Sequence, residues 1–367
     1  MNPSYLRLSF AWLTVAAVTI APALVPAAMS PIMAGLLFAW LLGIILWAAF
    51  GVVHEAEELA ESLGEPYGTL ILTLSIVIIE VALISAVMLG SKDVPTLGRD
   101  TMFAVLMIVL NGVVGLGLLL GGLRHHQQSF NLQGASAYLA VTIPLAVIAL
   151  ILPNFTTSSA SGTLSTTQSV LFSLLTIALY GLFLWLQTGR YKGFFQPVGL
   201  ANAEPQDASP LPHPASSISR GRHVVLLLAN ILPIVILSKS LGKLLDAGIE
   251  SLGAPTALGG IVIAMIVFTP EGISALRAVA SNQLTRAINL CLGAATSTLG
   301  LTVPAILLIG LISGQPVVLG LSTANMVLLA TTLFLNGITF TNARTTMLEG
   351  AVHLSLFAVF LVLVFSP

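Results

Sequence analysis

Apolar runs long enough to cross a lipid bilayer follow one another along almost the whole chain, interrupted by short segments carrying Pro, Gly or a few charges. About 20 apolar residues in helical form span the hydrocarbon core, and inside lipid the backbone must satisfy its own polar groups, so each such run constrains the chain to a helix. These runs are read over residues 6–27, 31–53, 67–90, 101–122, 135–153, 167–187, 223–241, 255–276, 286–312, 316–338 and 346–366. The expected fold class is an all-α polytopic membrane protein of eleven transmembrane helices. Composition agrees: 7% of the 367 residues are charged, against about 25% in soluble domains. The first run follows Arg7 in the manner of a signal peptide, but it is long and the residues near Pro26 make a poor cleavage site, so it is read as an uncleaved helix.

Basic residues give the orientation. With the N-terminus cytoplasmic, the inner side collects Arg7, Arg124, Arg190, Lys192, Arg220, Arg222, Arg277, Arg286 and Arg344, and the outer side keeps Lys92, Arg99, Lys239 and Lys243. That bias places the N-terminus inside, the C-terminus outside, and the chain in the bacterial inner membrane. A net charge of −1 with scattered basic residues excludes a nucleic-acid partner. The single cysteine, Cys291, excludes an internal disulfide or a cysteine metal cluster, and reads as a small buried apolar residue.

The run 67–90 carries one carboxylate, Glu80, near its middle, and the run 255–276 carries Glu271 in the sequence Phe268-Thr269-Pro270-Glu271-Gly272. A charge at the bilayer centre costs at least about 2.5–3.5 kcal/mol, so such acids face a polar interior and mark ion or proton paths. The Pro- and Ser-rich stretch 189–222 reads as a flexible cytoplasmic linker. It divides the chain into an N-terminal helix (1–30), a first five-helix repeat (31–188, ion-binding part 67–122) and a second (223–367, ion-binding part 255–312). The acids lie in the second helix of each repeat and are separated by an odd number of spans. This is the pattern of an inverted repeat, which places an ion site near the midplane.

Ca²⁺ takes about six to eight oxygen ligands, so neutral oxygens must help the acids. Thr73, Ser75 and Ser85 accompany Glu80, Thr269 and Ser274 accompany Glu271, and the partner spans offer Asn111, Thr296, Ser297 and Thr298. For each hydroxyl the plainer reading is a hydrogen bond to its own helix; the Asn111 amide is harder to hide. Ahead of the first acid, His54, Glu57, Glu58 and Glu61 fall on one helical face, and with Glu55 form a candidate cation-attracting, pH-sensing entrance, or else a solvated helix on the membrane surface. Arg277 and Arg286, which flank the tight loop after the eighth run, read as cytoplasmic anchors, and His125 and His126 as a solvated pair. Asn336, Asn342 and Arg344 read as packing at the inner mouth. His353 reads as a helix–helix hydrogen bond ahead of a proton relay.

No phosphate-cradling loop, soluble catalytic domain or zinc-protease motif is present, which speaks against an ATP-driven pump or an intramembrane enzyme and for a chain without cofactor. A passive cation channel stays open, because paired acids also line filters. The stretches HEAEELAESLGEPYGTLILTLSIVIIEVALI (His54–Ile84), RDTMFAVLMIVLNGVVG (Arg99–Gly115), FTPEGISALRAVASNQLTRAINLCLGAATSTLGLTVPA (Phe268–Ala305) and TNARTTMLEGAVHL (Thr341–Leu354) carry a resemblance to the bacterial calcium/proton antiporters of the cation/calcium exchanger superfamily. The resemblance implies eleven helices, exchange of a cation for protons, and Glu80 and Glu271 as the paired ion-binding acids. One departure stands out: many relatives place an Asn shortly before each acid, whereas here Ile76–Ile79 and Phe268–Pro270 precede them. That leaves Na⁺ or K⁺ open beside Ca²⁺. A carboxyl group that binds a hard cation when ionised and a proton when neutral makes exchange obligatory. The oligomeric state is not readable.

Overall fold

The computed structural model describes residues 3–20, 30–63, 67–90, 95–197, 217–342 and 344–366, without the side chains of 3, 67–70, 72, 89–90 and 217–219. Lys92 and most of the expected linker lie outside the described residues. The helices are α1 Pro3–Ile20, α2 Pro31–Leu63, α3 Tyr67–Gly90, α4 Leu97–Met107, α5 Val114–His125, α6 Leu132–Ala146, α7 Thr166–Thr188, α8 Ser217–Leu252, α9 Ala257–Ala280, α10 Leu284–Ser297, α11 Val303–Ser313, α12 Thr323–Thr339 and α13 Met347–Phe365. The π-helical segment Ile108–Val113 joins α4 to α5, and Thr298–Thr302 joins α10 to α11, so each pair is one rod across the membrane. Among the described residues eleven rods result, as expected. Eight are long and apolar enough to cross a membrane, and Ser4–Ile20, Thr73–Met88 and Thr323–Thr339 are shorter apolar ones.

Boundaries differ where helix formers continue past the apolar run. α2 has 33 residues and α8 has 36. At about 1.5 Å per residue each is roughly 50 Å long, well beyond a hydrocarbon core of about 30 Å. The segment His54–Glu61 is thus the projecting end of α2 and not a separate helix on the membrane surface, because Ala, Glu and Leu hold the helix through Leu63. α12 starts later than expected. Gly314 takes a left-handed φ of 68°, Pro316 follows, and Ser322 caps the amide of Asn325.

Contacts group the chain into two compact units that do not coincide with its sequence halves. One comprises 1–97 and 211–270; the other comprises 98–210 and 271–367, the division falling inside α9 at Pro270–Glu271. In the first unit α2 packs along α8, with α1 and α3 against both. Its core is Leu41, Ile45, Val52, Ile84 and Leu237.

In the second unit α5 packs on α13, α6 on α10 and α7 on α11. The α5–α13 crossing is built from glycines: a Cβ on Gly350 would stand 2.8 Å from the carbonyl of Gly115, and one on Gly115 would stand 3.0 Å from the amide of Leu354. Small residues let helices approach where lipid supplies no hydrophobic drive. Outward-facing Leu171, Leu174, Leu182 and Trp185 of α7 are exposed, as a lipid-facing surface requires.

The loops of this unit sort into two ends. At one end Gln128–Ser129 (β1) pairs antiparallel with Arg344–Thr345 (β2), Gln128 donates to the carbonyl of Val279 and the side chain of Asn282, and Asn131 donates to Gly193. At the other end the amides of Leu319 and Gly320 bond Gly162, Asn154 donates to Leu321, and Arg99 donates to Gly320.

Candidate cation and proton site

Glu80 is carried by α3 and is 1% exposed; Glu271 is carried by α9 and is 7% exposed. They belong to different compact units. Pro270 has no amide to offer the carbonyl of Ile266, so α9 loses a backbone hydrogen bond one turn ahead of its acid. Cys291 of α10, which is buried, lies within electrostatic range of Glu271.

Most of the hydroxyls singled out by sequence are spent on their own helices. Ser75 donates to Ile71 at 2.7 Å, Ser85 to Val81, Thr269 to Met265 at 2.5 Å, and Ser297 to Ala294 at 3.0 Å. Each hydroxyl oxygen keeps lone pairs, but its direction is set by the helix. Thr73 is half-buried and Thr298 is buried. Thr296 bonds Leu292 at 2.6 Å and shares a hydrogen bond of 2.7 Å with Thr142 of α6, so it faces a helix contact.

Asn111 sits in the π-helical segment Ile108–Val113 with no exposed surface. Its amide nitrogen donates to Thr332 of α12 at 2.8 Å, and its oxygen lies 3.1 Å from Nδ1 of His353 of α13. The other imidazole nitrogen lies 3.0 Å from the hydroxyl of Thr339. π-Helical turns occur often at functional sites, and this one bears the only side-chain amide of its rod, Leu97–His125. Its counterpart, Thr298–Thr302, is followed by Pro304, which withholds an amide from Gly300 and so widens the turn.

The entrance cluster divides. His54, Glu58 and Glu61 are exposed and Glu57 is half-buried, one polar face as the spacing predicts. Glu55 points the other way. It is 2% exposed, with Oε2 2.7 Å from Nδ1 of His223 on α8 and Oε1 4.0 Å from Arg7 on α1. Sequence reasoning placed Arg7 among the inner-side charges and did not single out His223, since partners on three helices share no local spacing. Arg220 donates to the carbonyl of Ser62 at 3.1 Å, closing the C-terminal end of α2. Among the described residues no three His, Cys, Asp or Glu side chains come together as a metal site. A cation here would be cargo held by carboxylates and neutral oxygens.

The chain matches the sodium/calcium exchanger protein family over residues 33–189 and 222–366. It is 42% identical over 328 residues to the y4hA protein of Sinorhizobium fredii, covering 89% of this chain and 87% of that one. It is 39% identical over 322 residues to the sodium-potassium/proton antiporter ChaA of Escherichia coli, covering 88% and 87%. Its fold is that of the selenium-substituted Ca²⁺/H⁺ antiporter protein YfkE, with a TM-score of 0.72 at 17% identity over 99% of this chain and 100% of that one. The chain is a multi-pass membrane protein and belongs to the sodium/calcium exchanger family of cation antiporters.

Proposed function

We propose that the protein is a secondary active antiporter that expels cytoplasmic Ca²⁺ in exchange for external protons by alternating access. Glu80 and Glu271 are the groups that carry either the cation or the protons. The observation that supports this reading best is the burial of a single acid in each of two apolar helices, in a chain of an exchanger family. Burial penalises the charged form of a carboxylate, so occupancy alternates between a cation, which neutralises it by coordination, and a proton, which neutralises it covalently.

A second reading, Na⁺ or K⁺ for protons, is favoured by two observations. Neutral oxygens free to turn toward a cation are few, because Ser75, Ser85 and Thr269 donate to their own helices, which leaves their lone pairs but fixes their direction. The relative at 39% identity is named a sodium-potassium/proton antiporter.

The orientation proposed is N-terminus cytoplasmic and C-terminus external, in a bacterial inner membrane. It is supported by the loop end that holds β1 and β2, which gathers Arg124, Arg190, Lys192 and Arg344, while the opposite end holds Arg99 paired with Asp100.

The test uses everted vesicles energised by respiration. Ca²⁺, Na⁺ or K⁺ is added in turn, internal acidification is followed with a pH probe, and Glu80→Gln and Glu271→Gln are run alongside. Dequenching on Ca²⁺ that is absent in both variants supports the first reading, and a response to Na⁺ or K⁺ alone supports the second. Cation flux that does not reverse with an imposed pH gradient points to a channel, and exchange that survives in either variant removes that acid from the mechanism.

A further inference from the structure

At the end of the second unit that holds β1 and β2, two cavities share Phe195 as a wall. The first, of about 470 Å³, is polar. Ser129, Asn282, Gln283, Thr285, Arg286 and Asn289 line it, and no acidic residue does. Arg286 is exposed, and among the described residues it forms no ion pair. The second cavity, of about 270 Å³, is an apolar groove between α6 and α7, walled by Ala140, Val141, Leu179, Leu182 and Leu186. Ala140 and Leu182 are exposed, so the groove opens on the lipid-facing side.

The 3₁₀ turn Lys192–Phe195 that follows α7 builds the junction. Asn131 donates to the carbonyls of Gly193 at 3.0 Å and Gln196 at 3.2 Å, and Asn289 donates to that of Phe195 at 2.7 Å. Three carbonyls that would repel an anion are thereby taken up. The Phe195 ring packs edge-on against Tyr138 and Phe183, with centroids 5.3 and 5.9 Å away, which fixes the shared wall. Thr285 is buried and accepts from the Asn131 amide at 3.3 Å, leaving its own hydrogen to donate. Arg190 and Lys192 stand exposed on the same segment. The polar cavity thus offers donors and positive charge without a carboxylate. Along the groove, Leu179 and Gln187 are eight residues apart on α7, about 12 Å of helix, which is nearly one leaflet of a hydrocarbon core of about 30 Å.

We propose that the two cavities together bind one anionic phospholipid, its phosphate against Arg286 in the polar cavity and an acyl chain past Phe195 along the groove between α6 and α7. A guanidinium meets a phosphate with paired, charge-assisted hydrogen bonds, and basic pockets between transmembrane helices take lipid headgroups. A free phosphate would fill the polar cavity alone and a hydrocarbon the groove alone. The shared wall favours a molecule that has both parts. In the orientation proposed above the lipid belongs to the cytoplasmic leaflet, which is the anionic one; the binding itself depends on neither that orientation nor the antiport reading.

Native mass spectrometry of the full chain in detergent tests this, with phosphatidylglycerol, phosphatidylethanolamine and inorganic phosphate added in turn. A single phosphatidylglycerol retained per chain, about tenfold tighter than the zwitterionic lipid, is expected. Arg286→Gln is expected to weaken its binding about tenfold, and Ala140→Trp, which sets a ring into the groove, by a similar factor. Both positions are exposed, and the thermal midpoint of each variant without added lipid shows that it is folded. Arg124→Gln removes an exposed charge on α5 that lines neither cavity, and is expected to leave the affinity unchanged. Unchanged affinity in Arg286→Gln or in Ala140→Trp overturns the proposal. Equal loss in Arg124→Gln and Arg286→Gln overturns it too, because the attraction is then diffuse. So does an unmodified chain that retains no phosphatidylglycerol, whether inorganic phosphate binds in its place or residues 198–216 of the chain itself fill the polar cavity.

Discussion

Nδ1 of His223 lies 2.7 Å from Oε2 of Glu55, deep between α8 and α2, with the guanidinium of Arg7 4.0 Å from the other carboxylate oxygen. Three helices that share no local sequence meet on one acid. Removing one member of a buried charge cluster strands the others, a loss of roughly 3–5 kcal/mol. Glu55→Gln is therefore expected to lower the unfolding midpoint in detergent sharply, because Arg7 keeps its charge without an anion. His223→Gln is expected to cost less, since Glu55 keeps Arg7 and the site of His223 is partly open. Equal midpoints for Glu55→Gln and the unmodified protein would refute this assignment.

Gly51 of α2 lets the same cluster form, because a Cβ there would occupy the space taken by Arg7 Nε and Asn230 Oδ1. Forcing extra atoms into packed interiors costs about 1–3 kcal/mol. Gly51→Ala is expected to destabilise by that amount, and Gly43→Ala, with open space around it, to be silent. Thermal midpoints of the two variants, compared in one detergent, check the contrast.

The order of helices was readable from the apolar runs, because lipid leaves an apolar segment few alternatives to a helix. The two acids stood out for the same reason: a carboxylate inside such a run has no bland place to go. The partners were not readable. Thr142, Thr332 and Thr339 are ordinary helix residues until the fold sets them against Thr296, Asn111 and His353. Glu55 was grouped with its neighbours by proximity in sequence, yet it is the one acid of that stretch turned inward, since residues 54 and 55 lie about 100° apart on a helix. The π-helical turn at Asn111 has no proline to announce it, unlike the one before Pro304.

Thr296 was a candidate ligand, and its bond to Thr142 makes a separate prediction. Thr296→Val leaves a buried hydroxyl on Thr142 without its partner and is expected to cost about 1–3 kcal/mol, whereas the double change Thr142→Val/Thr296→Val removes both groups and regains most of it. If Thr296 is structural, the double variant keeps the cation KM of the unmodified protein. A KM raised about tenfold in a well-folded double variant would return Thr296 to the ligand set.

The sorted loops predict sidedness. Gln315 follows α11 at the end where Leu319 bonds Gly162, and Ser158 lies in that facing loop; Ser129 and Asn342 belong to the end held by β1 and β2. Cys291 is buried in α10, so a background free of reactive thiol needs only Cys291→Ser. In that background Gln315→Cys and Ser158→Cys are expected to react with an impermeant maleimide applied to intact cells. Ser129→Cys and Asn342→Cys are expected to react only in everted vesicles. The basic residues decide the sign: Arg124, Arg190, Lys192 and Arg344 gather at the second end, and short loops rich in Arg and Lys stay on the cytoplasmic side. Labelling of all four from one side would break the two-ended arrangement of the loops. Labelling in the reverse pattern would keep that arrangement and invert the protein in the membrane, and with it the proposed direction of export.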